Sequence, residues 1–219
     1  MQKVGFIFDL DGVIVDTAKY HYLAWRKLAN ELGFDFTESQ NELFKGVSRK
    51  RCLEILLDIG EINATQEQFD RWMVEKNEDY LAYIDKMDDS EILPDVVKIL
   101  KFLKGNAIPI ALGSASKNAK PILEKVGLLE YFDYIVDGNS VTKAKPDPEV
   151  FLIAAENMGM EPKNCVVFED AVAGIEAANL AGMTSIGIGE SEVLSEAAYN
   201  FNDFTEIDLS FINNLLNSN

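Results

Sequence analysis

The sequence predicts an α/β protein, with a doubly wound parallel-sheet (Rossmann-like) core and an inserted α-helical cap domain. Three observations support this fold class. The chain opens with an apolar run that ends in two acids, residues 17–86 show helical periodicity, and from Asp89 onward short apolar runs alternate with helical segments. Such alternation is typical of a parallel sheet covered on both faces. We therefore expect a core domain of residues 1–15 and 89–219, interrupted by a cap domain of residues 16–88.

The first predicted strand is the apolar run that ends at Phe8, and Asp9, Asp11 and Gly12 follow it. Unbroken apolar runs are typical of strands buried on both faces, and open α/β sheets bind ligands at the carboxyl ends of their strands. Two neighbouring carboxylates repel each other unless a cation lies between them, which favours a Mg²⁺ site. Asp9 is then a candidate nucleophile and Asp11 a candidate general acid and base. An ordinary strand-end turn is the alternative interpretation.

Helical patterns fill the predicted cap. The first helix covers residues 17–32 and stops at Gly33, since glycine commonly ends a helix. The second starts at the N-cap residue Ser48 and ends near Ile59, and the third opens on a capping box at residues 65–68.

The core elements follow in regular alternation. The pattern predicts a helix over 94–105, a strand over 108–112, a helix ending at 126, a strand over 134–136, a helix over 148–158, a strand over 165–168, a helix ending at 181 and a strand over 185–188. We interpret the acidic stretch from Glu190 to Asp208 as a solvated surface.

Three further strand ends carry candidate site residues. The Ser114 hydroxyl can hold a phosphate oxygen, and Ser116 is a candidate N-cap of a helix whose free N–H groups attract anions. Lys145, held extended by the proline after it, can neutralise a transferring phosphoryl group. Glu169 and Asp170 add two oxygen ligands for Mg²⁺. Helix capping, a surface lysine and helix-terminal acids are the alternatives, but together the four strand ends favour a site.

The composition indicates which kinds of partner this protein binds and where it is located. The net charge of −17 argues against nucleic acid and against anionic membranes. Cys52 and Cys165 have no metal-type spacing, so we expect reduced structural thiols. Apolar segments are too short for a membrane span, and the first residues do not have the pattern of a signal peptide. We expect a cytoplasmic monomer that acts on a small molecule.

Together, these strand ends resemble the motifs of the haloacid dehalogenase superfamily of phosphotransferases, and the likeness covers the whole chain. The matching residues are Asp9-Leu10-Asp11-Gly12, Ser114, Lys145-Pro146 and Glu169-Asp170. The resemblance implies that Asp9 forms an aspartyl-phosphate. It also implies a Mg²⁺ bound by Asp9, the backbone carbonyl of Asp11 and Asp170, with Glu169 as a further ligand or close neighbour. Superfamily members that act on halides lack the second aspartate, so Asp11 favours phosphoryl chemistry.

A second anion site separates two hypotheses about the reaction. A phosphatase needs one phosphate site, whereas a sugar phosphomutase needs two and must keep water from its aspartyl-phosphate. The turn Lys45-Gly46-Val47-Ser48-Arg49 is a candidate, because Arg49 can bind phosphate through two parallel hydrogen bonds. Lys76 lies on an apolar helix stripe, where either it faces a polar cleft or its stem crosses the face to reach solvent.

The cap residues narrow the resemblance to the phosphomutases of that superfamily. Those enzymes interconvert β-glucose 1-phosphate and glucose 6-phosphate through β-glucose 1,6-bisphosphate, which implies a sugar phosphate substrate here. The predicted substrate-binding residues are His21, Trp25, Gly46, Val47, Ser48, Arg49, Lys76, Ser116, Lys117 and Asn118, with Thr17 in the hinge beside Asp11. For Trp25, a place in the cap core is the competing interpretation. A phosphatase of small sugar phosphates and a non-catalytic sensor are the rival hypotheses.

Overall fold

The computed structural model describes residues 4–44 and 47–217. In this part of the chain six strands form one parallel sheet in the order β3-β2-β1-β4-β5-β6. The strands are β1 (Gly5–Phe8), β2 (Ile110–Gly113), β3 (Tyr134–Val136), β4 (Cys165–Glu169), β5 (Thr184–Ile188) and β6 (Tyr199–Phe201). Because the chain starts in the middle of the sheet and extends it in both directions, the predicted doubly wound architecture is confirmed.

The α-helices divide into two sets. Between β1 and β2 come α1 (Ala18–Glu31), α2 (Glu38–Asn41), α3 (Arg49–Ile59) and α4 (Gln66–Ile84), which we call the cap helices. The remaining helices alternate with the strands or follow them: α5 (Val96–Gly105), α6 (Ala119–Lys125), α7 (Glu149–Asn157), α8 (Val172–Leu180) and α9 (Leu209–Asn217). None of these described helices is both long and apolar enough to cross a membrane.

Strands β1 and β4 lie side by side at the centre of the sheet. Phe8 pairs with Phe168 in the ladder, and their rings stack with centroids 4.8 Å apart. Both rings are fully buried. Because the strands are in register here, Asp9, which follows β1, and Glu169, the last residue of β4, are neighbours.

The cap helices have a hydrophobic cluster of their own, built on buried residues that include Trp25, Phe36 and Leu53. The N-terminus of α3 is capped by Ser48, and α4 opens on the predicted capping box of Thr65 and Gln68. The inserted helical segment therefore forms as expected. The domain boundaries at residues 15/16 and 88/89 stay a prediction.

The C-terminal region differs from the prediction. The stretch interpreted as solvated surface contains β6, which pairs with β5, and its Leu194, Phe204 and Ile207 are buried. Leu194 lies in a bend, and Phe204 and Ile207 lie in and directly after a three-residue 3-10 helix, so no periodic pattern reveals them. The predicted N-cap at Ser116 is also wrong: α6 begins at Ala119, and the Ser116 hydroxyl instead accepts the N–H of Asn118 in the preceding turn.

At Gly113, the last residue of β2, the side chains of Phe151 and Ile7 pack closely against the backbone, just before the site residues that follow this strand. A Cβ at this residue would lie 2.9 Å from the Phe151 ring and 3.0 Å from the Ile7 side chain, and both neighbours are fully buried. We expect Gly113→Ala to lower the free energy of unfolding by about 1–3 kcal/mol, because overpacking a close-packed core is destabilising. Urea denaturation measures this change.

Gly105→Ala is the matched control for that substitution. Its added methyl group has nothing within 4 Å, and alanine favours a helix over glycine, so stability should stay unchanged or rise slightly. Equal free energies of unfolding for the two variants would contradict the packing argument.

Candidate active site

A cavity of about 410 Å³ lies between the carboxyl ends of the central strands and the cap helices. Most of the predicted site residues line it: Asp9, Asp11, His21, Trp25, Val47, Ser48, Arg49, Lys76, Ser114, Ser116, Lys117, Asn118, Lys145 and Asp170. Thr17 and Glu169 contact lining residues from behind. The predicted Gly46 lies outside the described residues.

Lys145 is the buried centre of one end of this cavity, with a side chain only 2% exposed. Its Nζ donates hydrogen bonds to Asp9 Oδ1 at 2.6 Å, to Glu169 Oε1 at 2.5 Å and to the Gly113 carbonyl at 3.1 Å. Burial alone lowers the pKa of Lys145, but the two carboxylates outweigh burial and raise that pKa above its usual range. The ammonium group therefore stays charged and fixes the Asp9 carboxylate.

Asp9 is held at both of its carboxylate oxygens. Its backbone N–H donates to the Phe168 carbonyl at 3.0 Å, which extends the ladder between β1 and β4 by one residue. Oδ2 accepts the N–H of Asp11 at 3.1 Å, while Oδ1 accepts from Lys145. The strand and the lysine together aim this carboxylate into the cavity, as a nucleophile requires.

Asp11 is bound to the first cap helix. Its Oδ1 accepts a hydrogen bond from the hydroxyl of Thr17, the N-cap residue of α1. Burial, and then the charge of Asp9, raise the pKa of Asp11 to about 6, against the opposing effects of Thr17 and Lys145. A carboxyl group with such a pKa can both give and take a proton near neutral pH.

Gly12 brings Asp170 close to this turn. The Gly12 backbone has φ +78°, and a Cβ there would lie only 2.1 Å from Asp170 Oδ2, so the carboxylate occupies space that any side chain would fill. Asp9, Asp170 and the Asp11 carbonyl are hard oxygen donors. Mg²⁺ typically takes one or two carboxylates and completes its shell with phosphate and water oxygens, so this donor set fits it. Within residues 4–44 and 47–217 no three acidic, histidine or cysteine side chains form a metal-type cluster, so Mg²⁺ binding by these donors stays a prediction.

Glu169 makes its contacts with Lys145 and with the backbone. Oε1 pairs with the lysine, and Oε2 accepts the N–H of Ala171 at 2.8 Å. A Cβ at Gly174, in α8, would lie 1.9 Å from the Glu169 carboxylate, so glycine makes the room for this acid. Glu169 thus positions Lys145, and its role as a metal ligand stays a prediction.

The loop that follows β2 is tightly packed. The Ser114 N–H donates to the Val136 carbonyl at 3.0 Å, and its hydroxyl accepts the Ser116 N–H at 3.1 Å. The Gly138 N–H donates to the Ser116 carbonyl, and a Cβ at Gly138 would lie 2.3 Å from the Ala115 carbonyl oxygen. The sequence analysis missed Gly138, because nothing local marks a glycine needed by a neighbouring loop.

The wall of the cavity also carries cationic side chains. Arg49, Lys76 and Lys117 all line it, and within residues 4–44 and 47–217 none of the three forms an ion pair. This absence is notable in a chain with 37 acidic and 20 basic residues. Unpaired cations at a cavity wall are suited to bind an anion.

Lys76 is 2% exposed, so the alternative in which its stem carries the ammonium group to solvent is wrong. Its Nζ lies 2.9 Å from His21 Nδ1. Burial, and then the charge of Arg49, lower the pKa of Lys76 to about 7. Burial, Lys76 and Arg49 hold the pKa of His21 well below its usual value, so this imidazole is neutral and its Nδ1 accepts from the lysine.

Aromatic rings frame this lysine. Its Nζ lies 4.5 Å from the Trp25 ring centroid and 4.8 Å from that of Tyr80, and the His21 ring stacks on Tyr80 at 4.1 Å. Trp25 is 1% exposed and belongs to the hydrophobic cluster of the cap, yet it also forms cavity wall. Tyr80 was not singled out from the sequence, because an aromatic residue on a helix stripe normally indicates only core packing.

Asn77 connects the cap to the core. Its Oδ1 accepts a hydrogen bond from Nδ2 of Asn118 at 3.1 Å, which links α4 to the loop before α6. The preceding residue, Lys76, enters the cavity, so one turn of α4 contacts both the cavity and the core loop. The sequence offers no signal for this contact, because it depends on the docking of the two segments.

Comparison with known proteins is consistent with this geometry. The family model for haloacid dehalogenase-like hydrolases matches residues 4–182. The chain is 42% identical over 188 residues to a β-phosphoglucomutase of Bacillus subtilis, covering 85% of this chain and 83% of that protein. It is 34% identical to a phosphorylated carbohydrates phosphatase of Thermotoga maritima, covering 82% of each chain.

Among solved structures, the crystal structure of β-phosphoglucomutase from Clostridium difficile superposes with a TM-score of 0.94. It is 41% identical, and the match covers 99% of this chain and 98% of that one. Since the family model spans most of the chain and the sequence relatives cover it at more than 30% identity, this protein belongs to the haloacid dehalogenase-like hydrolases.

Proposed function

We propose that this enzyme is a Mg²⁺-dependent phosphomutase that interconverts β-glucose 1-phosphate and glucose 6-phosphate. The observation that carries the proposal is the trio of unpaired cations, Arg49, Lys76 and Lys117, in the same cavity as the Asp9–Asp11 turn. One cavity can then hold a sugar with a phosphate at each end, as β-glucose 1,6-bisphosphate requires. The name of the Bacillus relative, a β-phosphoglucomutase, supports the same reaction.

Asp9 and Asp11 divide the chemistry. A carboxylate oxygen of Asp9 attacks phosphorus in line, an Asp9–phosphate bond forms, and the bond from phosphorus to the sugar oxygen breaks. Asp11 gives its proton to that oxygen and takes one back from the second sugar hydroxyl when Asp9 returns the phosphoryl group. The approaching phosphate adds negative charge beside Asp11, which raises its pKa further and increases the protonated fraction.

Asp9, the backbone carbonyl of Asp11, and Asp170 are the proposed Mg²⁺ ligands. When bound, the ion neutralises charge on the transferring phosphoryl oxygens. Lys145 adds a second fixed positive charge next to Asp9, and Glu169 keeps that lysine in place. Ser114, with its hydroxyl at the cavity wall, can donate to a phosphoryl oxygen.

A sugar-phosphate phosphatase is the alternative, and the Thermotoga relative favours it. Both reactions use the same acid end of the cavity. They differ in whether water or a sugar hydroxyl accepts the phosphoryl group, and therefore in how fully the cap excludes water.

The direct test follows glucose 6-phosphate and free phosphate in parallel, from β- and from α-glucose 1-phosphate, with Mg²⁺ and a trace of the bisphosphate. We expect isomerisation of the β-anomer to exceed phosphate release. Asp11→Asn should lower kcat by about 10²–10⁴-fold, the usual contribution of general acid–base catalysis, with little change in substrate affinity. Phosphate release faster than isomerisation would favour the phosphatase.

The lowered pKa of Lys76 leads us to expect that the protein takes up protons when it binds a phosphorylated ligand. With a pKa of about 7 in the free protein, Lys76 is largely neutral at pH 8, and a bound phosphate favours its charged form. Affinity should therefore fall as pH rises from about 7 to about 8.5. In that range His21 stays neutral, and Cys52, whose pKa burial raises to about 12, stays protonated.

Titration calorimetry of glucose 6-phosphate binding, in buffers of different ionisation enthalpy, counts these protons. Lys76→Met should bind more weakly and take up fewer protons at pH 7.5, whereas the exposed Lys101→Met should match the wild type. The proposal for Lys76 fails if proton uptake is the same in all three proteins. Lys76→Met should also melt at a higher temperature than the wild type, because the substitution removes a buried amine that has no acidic partner.

We expect the hydrogen bond of Asn77 to affect the ratio of phosphate release to isomerisation. Asn77→Ala removes the hydrogen bond between α4 and the Asn118 loop, so the cap should exclude water less well. The ratio of phosphate release to isomerisation should rise about two- to tenfold, the factor that corresponds to one hydrogen bond of about 0.5–1.5 kcal/mol. Parallel product assays measure the ratio. The exposed neighbour Glu78→Ala is the control, and an equal rise there would refute the role of Asn77.

A further inference from the structure

Asn41 presents a buried amide oxygen at the wall of the cavity without a hydrogen-bond partner. The residue ends α2, is 8% exposed and lines the cavity, and its Oδ1 is buried with no donor in contact. The cap side of the same wall combines apolar residues such as Phe44 and Met73 with the cations Arg49 and Lys76. A buried acceptor without a donor needs an explanation.

The fold holds this amide in place. A capping box of Thr37 and Gln40 fixes the first turn of α2, and the Asn41 N–H donates to the Thr37 carbonyl at 3.1 Å. Phe36 before the helix and Phe44 after it are buried and stack on each other with centroids 5.0 Å apart. Because both flanks are anchored in the hydrophobic cluster of the cap, the short helix presents the side chain of Asn41 inward.

Two side-chain donors near this wall are directed to other acceptors. The Cys52 thiol donates to the carbonyls of Phe44 and Val47, at 3.9 and 3.6 Å, and Lys76 Nζ contacts His21. Within the described residues nothing donates to Asn41 Oδ1, so a ligand in the cavity can supply the donor. A phosphate dianion cannot supply one, since its oxygens only accept hydrogen bonds, whereas a hydroxyl group can donate to the amide oxygen and accept from the amide nitrogen.

We propose that Asn41 is a specificity residue that binds one hydroxyl group of the substrate between its two phosphate positions. The inference rests on the proposed function, because it assumes a hydroxylated carbon skeleton held between the Asp9–Asp11 turn and the cationic side chains of the cavity wall. Asn41 then discriminates against substrates that lack this hydroxyl, because its buried oxygen stays unpaired when they bind.

The test pairs substitutions at Asn41 with deoxy substrates. We measure kcat/KM of the wild type, Asn41→Leu and Asn41→Ala for β-glucose 1-phosphate and its 2-, 3- and 4-deoxy analogues. For the parent sugar, the variants should lose about tenfold or more. One analogue should show a similar loss with the wild type and no additional loss with the variants, because the same hydrogen bond is already missing.

Stability separates this role from a structural one. Leucine has nearly the shape of asparagine and leaves no unpaired polar atom, so Asn41→Leu should melt at or above the wild-type temperature. A lower melting temperature, or an equal loss of activity on the parent and on all three analogues, would overturn the proposal. Ser39→Ala, an exposed change on the same helix, should leave both readouts unchanged.

Failure of the proposed function remains distinguishable from failure of this inference. If the wild type releases phosphate without forming glucose 6-phosphate, the phosphomutase is excluded. The coupling between Asn41 and one hydroxyl is then measured on phosphate release with the same four substrates, and its absence there rejects the inference independently.

Discussion

The buried contacts of Lys145 with Asp9 and Glu169 are the constraint on which the site depends. The three residues come from distant parts of the chain, and two of them follow or end the central strands. A buried ammonium group without a carboxylate, or a buried carboxylate without its lysine, is strongly unfavourable. The two strand ends and the Lys145 loop therefore have one compatible arrangement, and Asp9 takes its orientation from it.

The cavity takes its acids from the sheet edge and part of its cations from the cap. Carboxylates collect at the carboxyl ends of the sheet, where Lys145 and a hard cation can compensate them, while the cap contributes cations without acids. In the proposed function, one phosphate of the bisphosphate lies near Asp9 and the other near Arg49 and Lys117. The net charge of −17 does not prevent an anion from binding here, since burial strengthens the interaction with the local cations.

The positions of Asp9, Ser114 and Glu169 could be predicted from the sequence, because the end of an apolar run shows where a strand ends. A continuous apolar run fixes the strand, and the first polar residue after it has one possible location. This reasoning failed for β6, whose Tyr199 and Phe201 lie at a partly exposed sheet edge and alternate with a polar residue. Asn41 and Asn77 could not be predicted in this way, because the role of each depends on residues that only the tertiary fold brings next to it.

Lys76 has a consequence outside the reaction. Its ammonium group is buried next to Arg49 without a carboxylate partner in the described part of the chain, so the ligand-free fold is less stable than its packing allows. A bound anion restores that free energy in addition to the ordinary effect of mass action. Cellular proteases degrade the opened form of a protein. An anionic ligand that pairs with Lys76 would therefore lower the population of the opened form, and with it the rate at which proteases degrade this protein.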